Sequence, residues 1–303
     1  MDGIKRFLIA ACIAGCGGGG GGGGSGTLDG GMTDASGDGN GSDPNIPAAS
    51  NDRCASAASI NLTTMHSDLQ VNPGGSNADL AAPCGTAGTP DVFYKISLTT
   101  RELVYADTFG STSNTALYFA DSCSDALTAS TMTGDTLCSS GACGTGQSQV
   151  VALLNPGVHY LVLAGHGATT IHFQHAESGV GDLAVLPQGT HTLTGTTTTG
   201  SGALFACEAG GMESTYWWTT CPTDLGGAIH ATTCTGSSFD TILSLQLPGT
   251  ENVACADDDN GCAAQTRSTL DASIPAGAGL NVIAVDGGSQ VQHGAYTLTV
   301  TRP

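Results

Sequence analysis

Positive charge is what this sequence most lacks. Its 303 residues carry 7 Lys and Arg against 26 Asp and Glu, a formal net charge of −19. Phosphate backbones and anionic headgroups are gripped by Lys and Arg clusters, so nucleic-acid binding is excluded. Acidity of this strength keeps an exported chain soluble and draws cations or basic partners. Aromatic residues are scarce at 5%, and no stretch shows convincing helical periodicity. Catalytic signatures are missing: there is no GxSxG elbow, no HExxH, no P-loop and no glycine-rich dinucleotide fingerprint. Ser, His and Asp occur, but without geometry their presence carries no catalytic assignment. Zinc knuckles and a redox CxxC are absent as well.

No apolar run is long enough to span a bilayer. The longest, Phe7–Leu8–Ile9–Ala10–Ala11–Cys12–Ile13, follows Lys5 and Arg6 and ends in Ile13–Ala14–Gly15–Cys16. A short positive region, an apolar run, two small residues and a cysteine resemble a bacterial lipoprotein signal peptide covering residues 1–15. The resemblance implies a diacylglyceryl group on the Cys16 thiol and a mature chain starting there. It also implies an outer-membrane destination, since Gly17 is not the aspartate that retains lipoproteins at the inner membrane. Removing the leader takes away Asp2, Lys5 and Arg6, which leaves the mature chain at −20. Each buried CH₂ of the acyl chains contributes about 0.8 kcal/mol to membrane binding.

Residues 16–50 hold the Gly17–Gly24 tract and a Gly/Asp/Ser/Asn-rich continuation. With no apolar periodicity, nothing there offsets the entropy of ordering. A disordered tether of this length reaches roughly 30–35 Å.

From residue 51 onward the composition turns regular, with Gly-rich turns separating short runs of Val, Ile, Leu and Thr, as in strands. Candidate strands in the first half are Phe93–Leu98, Leu103–Phe109, Ala116–Ala120, Gln149–Leu154, His159–Ala164 and Thr169–Gln174. The second half repeats the plan. Asn114–Thr115–Ala116–Leu117 matches Asp240–Thr241–Ile242–Leu243. Cys84 stands nine residues before Phe93, and Cys207 nine before Tyr216; Cys138 and Cys143 correspond to Cys255 and Cys262. The closing run Tyr296–Thr301 alternates, which directs Tyr, Leu and Val inward and Thr outward. The expected fold class is all-β: two tandem antiparallel β-sandwiches of jelly-roll type after the tether, over residues 51–178 and 179–303.

Asp91–Val92–Phe93–Tyr94, the Gly236–Leu243 element, the Cys255–Ala256–Asp257–Asp258 turn and the Gly294–Val300 strand together resemble the bacterial pre-peptidase C-terminal (PPC-like) domain. The resemblance covers about residues 51–303 and implies a jelly-roll-like sandwich of secreted and surface proteins, some of which bind calcium. The chain departs from the pattern at Asn114, at Glu213, and in Ile171–Gln174, which lacks the Gly-x-Tyr of the closing strand.

Ten cysteines follow the leader, and in an exported chain they read as disulfide partners. Several connectivities are open. Local spacing suggests Cys54–Cys84, Cys138–Cys143, Cys221–Cys234 and Cys255–Cys262, which leaves Cys123 and Cys207 unassigned. Asp257–Asp258–Asp259 is the densest carboxylate group, and hard oxygen ligands suit Ca²⁺. An EF-hand fails here, because Ala256 and Arg267 stand where its acids belong; calcium remains the one cofactor to consider, against a solvated acidic turn. His159, His166, His172 and His175 do not have metal-ligand spacing and read as exposed strand histidines. Trp217 and Trp218 should point to opposite faces of a strand, and the outward ring could stack on a sugar. The expectation is a surface-anchored, non-enzymatic lipoprotein that presents two sandwiches to extracellular protein or polysaccharide. A hydrolase with an unrecognised site and a calcium-stabilised envelope protein are the alternatives.

Overall fold

The computed structural model describes residues 45–303 except 128–131, 133, 178–182, 199–206, 208–210, 252 and 260. The leader, Cys16 and most of the tether therefore lie outside the described residues, as does Asn260 of the acidic turn. The end of the predicted tether does not behave as a coil: Ala49 packs on the first core, and its N–H donates to Ser76 Oγ at 3.2 Å. The signal was the apolar content of Ile46, Pro47, Ala48 and Ala49.

Among the described residues, the first half holds nine strands: β1 (Ala58–Ser59), β2 (His66–Val71), β3 (Asp91–Leu98), β4 (Glu102–Asp107), β5 (Thr115–Ala120), β6 (Cys138–Ser139), β7 (Gln149–Leu154), β8 (Gly157–Gly165) and β9 (Thr169–Glu177). The second half holds nine more: β10 (Leu183–Val185), β11 (Gly189–Thr196), β12 (Ser214–Thr220), β13 (Gly227–Thr232), β14 (Thr241–Gln246), β15 (Val253–Asp257), β16 (Thr269–Ile274), β17 (Gly279–Gly287) and β18 (Ala295–Arg302). The sheets run β1-β3-β8-β5-β6 and β2-β9-β4-β7, then β10-β12-β17-β14-β15 and β11-β18-β13-β16. Adding nine to each label of the first pair gives the second pair. Strands β2–β9 follow the jelly-roll order of two four-stranded sheets. The ladders are antiparallel, apart from the edge strands β1 and β10, which run parallel to β3 and β12.

The duplication extends to buried polar groups. Thr108 Oγ1 meets Thr115 Oγ1 at 2.6 Å, and the Ser148 N–H donates to Thr108 Oγ1 at 2.9 Å. Thr233, Thr241 and Ser268 repeat this cluster at 2.6 and 3.1 Å. It satisfies hydroxyls and an amide that burial would otherwise leave costly, and it fixes which residues of the two copies are equivalent.

Each sandwich has its own core between its sheets. Val92, Ile96, Val104, Leu117, Leu161 and Phe173 fill the first, and Trp218, Ile229, Leu243, Ile283, Leu298 and Val300 the second. The alternation expected along Tyr296–Thr301 is present: Tyr296, Leu298 and Val300 are buried and the threonines between them are not.

The local cysteine pairings are corrected. The bridges are Cys54–Cys123, Cys84–Cys138, Cys143–Cys221, Cys207–Cys255 and Cys234–Cys262, with Cα atoms 5.1–6.0 Å apart. Sequence neighbours in a turn are the wrong guide, because the jelly roll pairs strands that are distant in sequence. Cys84–Cys138 and Cys207–Cys255 are equivalent bridges, each tying the segment before the third strand to the sixth strand of its copy. Cys54–Cys123 and Cys84–Cys138 also tack loops over the outer face of β3, β8 and β5, where Phe93, Tyr118 and Val162 pack against Ala57, Leu80 and Ala126. Cys143–Cys221 joins one sandwich to the other.

Both sandwiches belong to one compact unit. The outer face of β4, β7 and β9 packs on the outer face of β12 and β17 through Leu103, Tyr105, Val151, Ala176, Trp217, Leu280 and Val282. Polar contacts add register: Gln174 Nε2 donates to the Leu280 carbonyl at 2.8 Å, and Gln246 Nε2 to the His175 carbonyl at 3.1 Å. Gly134, at φ +97°, lets the loop pass Trp217, since a Cβ there would lie 3.0 Å from the indole and 2.5 Å from Val185.

Candidate functional site

The inter-sandwich contact leaves a cleft of about 390 Å³ at one end. Its floor is a row of side chains running across the first sandwich. Register places Asp68 beside His172, His172 beside Asp107, and Asp107 beside Gln149, on β2, β9, β4 and β7. Because alternate strand residues share a face, His66, Gln174 and Tyr105 form the neighbouring row. Three turns of the second sandwich make the walls, contributing Pro222, Pro248–Gly249 and Gly277–Gly279. The turns brace one another: the Gly277 N–H donates to the Asp224 carbonyl at 2.9 Å. Gly279 is required where it stands, since a Cβ would lie 2.2 Å from Pro248.

The polar groups are held firmly. Asp68 Oδ1 meets His172 Nδ1 at 2.8 Å. Asp107 is buried at 3% exposure; its Oδ2 accepts the Tyr105 O–H at 2.7 Å and its Oδ1 the Phe109 N–H at 2.9 Å. Gln149 Nε2 bridges the copies, donating to Tyr105 Oη at 3.0 Å and to the Thr220 carbonyl at 2.9 Å. On the far side Glu251 accepts the Met65 N–H at 2.7 Å and meets His66 Nδ1 at 2.7 Å, which ties the β14–β15 turn to β2. Burial pushes the Asp107 carboxyl above the usual carboxylate range, against the pull of the Tyr105 and Phe109 bonds. Burial acts to lower His172, but the Asp68 bond and the Asp107 charge outweigh it, and the imidazole lies above its ordinary value. Burial, the largest cause, and the Asp107 charge together raise Tyr105 well above the normal phenol value. A carboxyl with both oxygens engaged is a fixed acceptor. Among the described residues, no Ser, Thr, Cys or Lys nucleophile lines the cleft.

The sequence-predicted site residues fall elsewhere; His172, which reads from the sequence as an exposed strand histidine, lines the cleft instead. Trp217 and Trp218 do point to opposite faces, but both are buried, at 3% and 2% exposure. Trp218 enters the second core, with the Arg302 guanidinium 5.1 Å from its ring centroid, and Trp217 is sealed under the first sandwich. A solvent-facing sugar platform is therefore corrected: the outer face of β12 is an internal interface. The exposed-histidine reading holds for His166 and fails for His175, which is buried with Nδ1 2.6 Å from Glu102 and Nε2 2.9 Å from the Thr64 carbonyl.

The acidic turn also regroups. Asp257 and Asp258 come together with Asp240, their carboxylate oxygens within 4.8 Å of one another, while Asp259 turns away to accept the Gly261 N–H at 2.7 Å. Asp240 Oδ1 is buried and has no hydrogen-bond partner among the described residues. Burial, with the charges of Asp258 and Asp257, raises its pKa. Three hard carboxylates suit Ca²⁺ in donor chemistry, with Asp240 in place of the predicted Asp259.

The sequence does not single out His66, Asp68, Tyr105 and Asp107, because β2 carries few apolar residues and Tyr105 and Asp107 sit inside the candidate strand Leu103–Phe109 with no motif around them. The repeat held the signal: equivalent positions of the second copy are Thr190, Thr192, His230 and Thr232.

No family model matches the chain, and no curated protein matches it. Among solved structures, the CUB1-EGF-CUB2 domain of human MASP-1/3 is 10% identical, over 79% of this chain and 100% of that one, at a TM-score of 0.22. The corresponding domains of rat MASP-1 are 11% identical over 80% and 99%, at 0.21. TM-scores of this size do not establish a common fold.

Proposed function

We propose that this chain is a lipid-anchored, non-enzymatic binding protein of the bacterial cell envelope, built on two PPC-like sandwiches and held to the outer membrane through Cys16. Five disulfides fit an oxidising compartment, and the lipobox-like Ile13–Cys16 supplies the anchor. The observation that carries the binding role is the inter-sandwich cleft, a concave, largely apolar space with a few fixed polar groups, as ligand sites are. Its ligand is an extracellular protein or polysaccharide. The test is retention of defined envelope polysaccharides and extracellular proteins by the immobilised mature chain, compared with an Asp68→Thr/His172→Thr variant. Retention by the parent and loss in the variant is expected. Equal retention by both, or hydrolysis of the retained material, contradicts the reading.

A further inference from the structure

We propose that the cleft receives an organic cation, an ammonium or guanidinium on an apolar stem, of the kind a lysine or arginine side chain presents. This rests on the cleft being the binding site and adds the chemistry of what enters it. Asp68 and Asp107 face the space from the floor with His66 and His172 beside them, and among the described residues no Lys or Arg lines it. Pro222 and Pro248 stand in the walls with Phe109, giving methylene groups a dry surface. Long cationic side chains bury their stems along such surfaces while the charged head seeks a polar partner.

The carboxylates are not required by the fold. The second sandwich, on the same backbone plan, has Thr192, Thr299 and Thr232 at the positions of Asp68, His172 and Asp107. Carboxylate burial is costly without compensation, yet the first copy keeps Asp107 at 3% exposure, where only Tyr105 and the Phe109 amide donate to it. His172 stands between Asp68 and Asp107 and can balance only one of the two carboxylates; an incoming cation would balance the other. Anionic ligands are disfavoured by the same carboxylates. A bare metal ion fits poorly: among the described residues, the carboxylates, imidazoles and thiols that converge within 4.8 Å lie elsewhere.

The test is calorimetric titration of the mature chain with N-acetyl-lysine amide, the uncharged isostere N-acetyl-norleucine amide, spermidine and a lysine-containing peptide. Lysine amide should bind saturably and norleucine amide should not. Asp68→Asn and Asp107→Asn should each weaken binding by about tenfold or more. Asp271→Asn, on the exposed sheet of the second sandwich, should change nothing. Asp68 is exposed, so its variant reports even if the Asp107 variant misfolds. Preference for the peptide assigns a protein side chain as the source, and preference for spermidine a free polyamine. Equal binding of lysine and norleucine amides, or indifference to Asp68→Asn, overturns the proposal. A neutral oligosaccharide bound in the cleft with no response to any cation overturns it too, while leaving the binding role intact. Cleft variants that alter retention of no ligand defeat both.

Discussion

The two sandwiches share one topology and differ most on one face. In the first copy, the outer side of the β2-β9-β4-β7 sheet carries Leu103, Tyr105, Val151 and Ala176, and beside them Asp68, His172 and Asp107. In the second copy, the corresponding sheet β11-β18-β13-β16 shows Ala228, His230 and Asp271, with a row of threonines, Thr192, Thr299, Thr232 and Thr269, crossing four strands. One face is a docking surface with a charged cleft at its end; the other is open to solvent. The frame therefore tolerates either content.

The disulfides diverged in the same place. Cys143 and Cys262 occupy matching loops, yet Cys262 closes within its own sandwich onto Cys234, while Cys143 reaches across to Cys221. The first-copy equivalent of Cys234 is Phe109, which lines the cleft. The Cys143–Cys221 bridge staples the copies together, and the position equivalent to Cys234 carries a cleft residue instead of a cysteine.

The sharpest way to break the comparison is to empty the interface. Trp217→Ala should cost roughly 3–5 kcal/mol and split denaturant unfolding into two transitions. Trp218→Ala, of similar size but inside one core, should lower only the second sandwich. A single cooperative transition that survives Trp217→Ala would show that the coupling of the copies does not depend on the Trp217 contact. Removing the staple with Cys143→Ser/Cys221→Ser should cost about 2–4 kcal/mol, and Cys234→Ser/Cys262→Ser a similar amount without separating the transitions.

Buried carboxyls give each copy its own pH response. Asp91 is pushed up to about 6 and Asp286 to about 7, mainly by burial. Both values lie above the ordinary 3.8, so the folded state holds these protons more tightly than the unfolded chain does. Their contribution is complete below about pH 4 and is lost as pH rises through 6 in the first copy and 7 in the second. Each tenfold in proton affinity is worth about 1.4 kcal/mol. Chemical denaturation from pH 4 to 8 should show this decline, and Asp286→Asn should flatten the part near pH 7. Calcium should raise the melting temperature modestly, since binding to the folded state stabilises it by RT ln(1 + [L]/Kd), and Asp240→Asn should abolish the rise. The smallest effect is expected for Thr192→Ala on the open face, within about 0.5 kcal/mol.

Much of the architecture could be read from residues alone. Alternation along Tyr296–Thr301 and the turn spacing named the sandwiches, and the matched Asn114–Leu117 and Asp240–Leu243 runs named the repeat. Six strands of the first half fell within a few residues of their observed bounds. The disulfides were harder, since a jelly roll joins distant segments. Even so, the matched spacing of Cys84 and Cys207, with Cys138 opposite Cys255, already held two of the five bridges. The site was least legible, because it depends on one sandwich covering part of another. No periodicity announces that the outward ring of Trp217 meets a neighbouring sheet, or that Asp68 and Asp107 lie in one row 39 residues apart in sequence.

A charged row in the first copy that serves a ligand and not the fold should be replaceable without loss of structure. Converting that row to its counterpart, with Asp68→Thr, His172→Thr and Asp107→Thr in one mature chain, tests this in a single calorimetric comparison with the parent. The expected result is an unfolding profile that stays cooperative near the parental temperature, together with loss of lysine-amide binding. Collapse of the fold, or binding that survives unchanged, would contradict it.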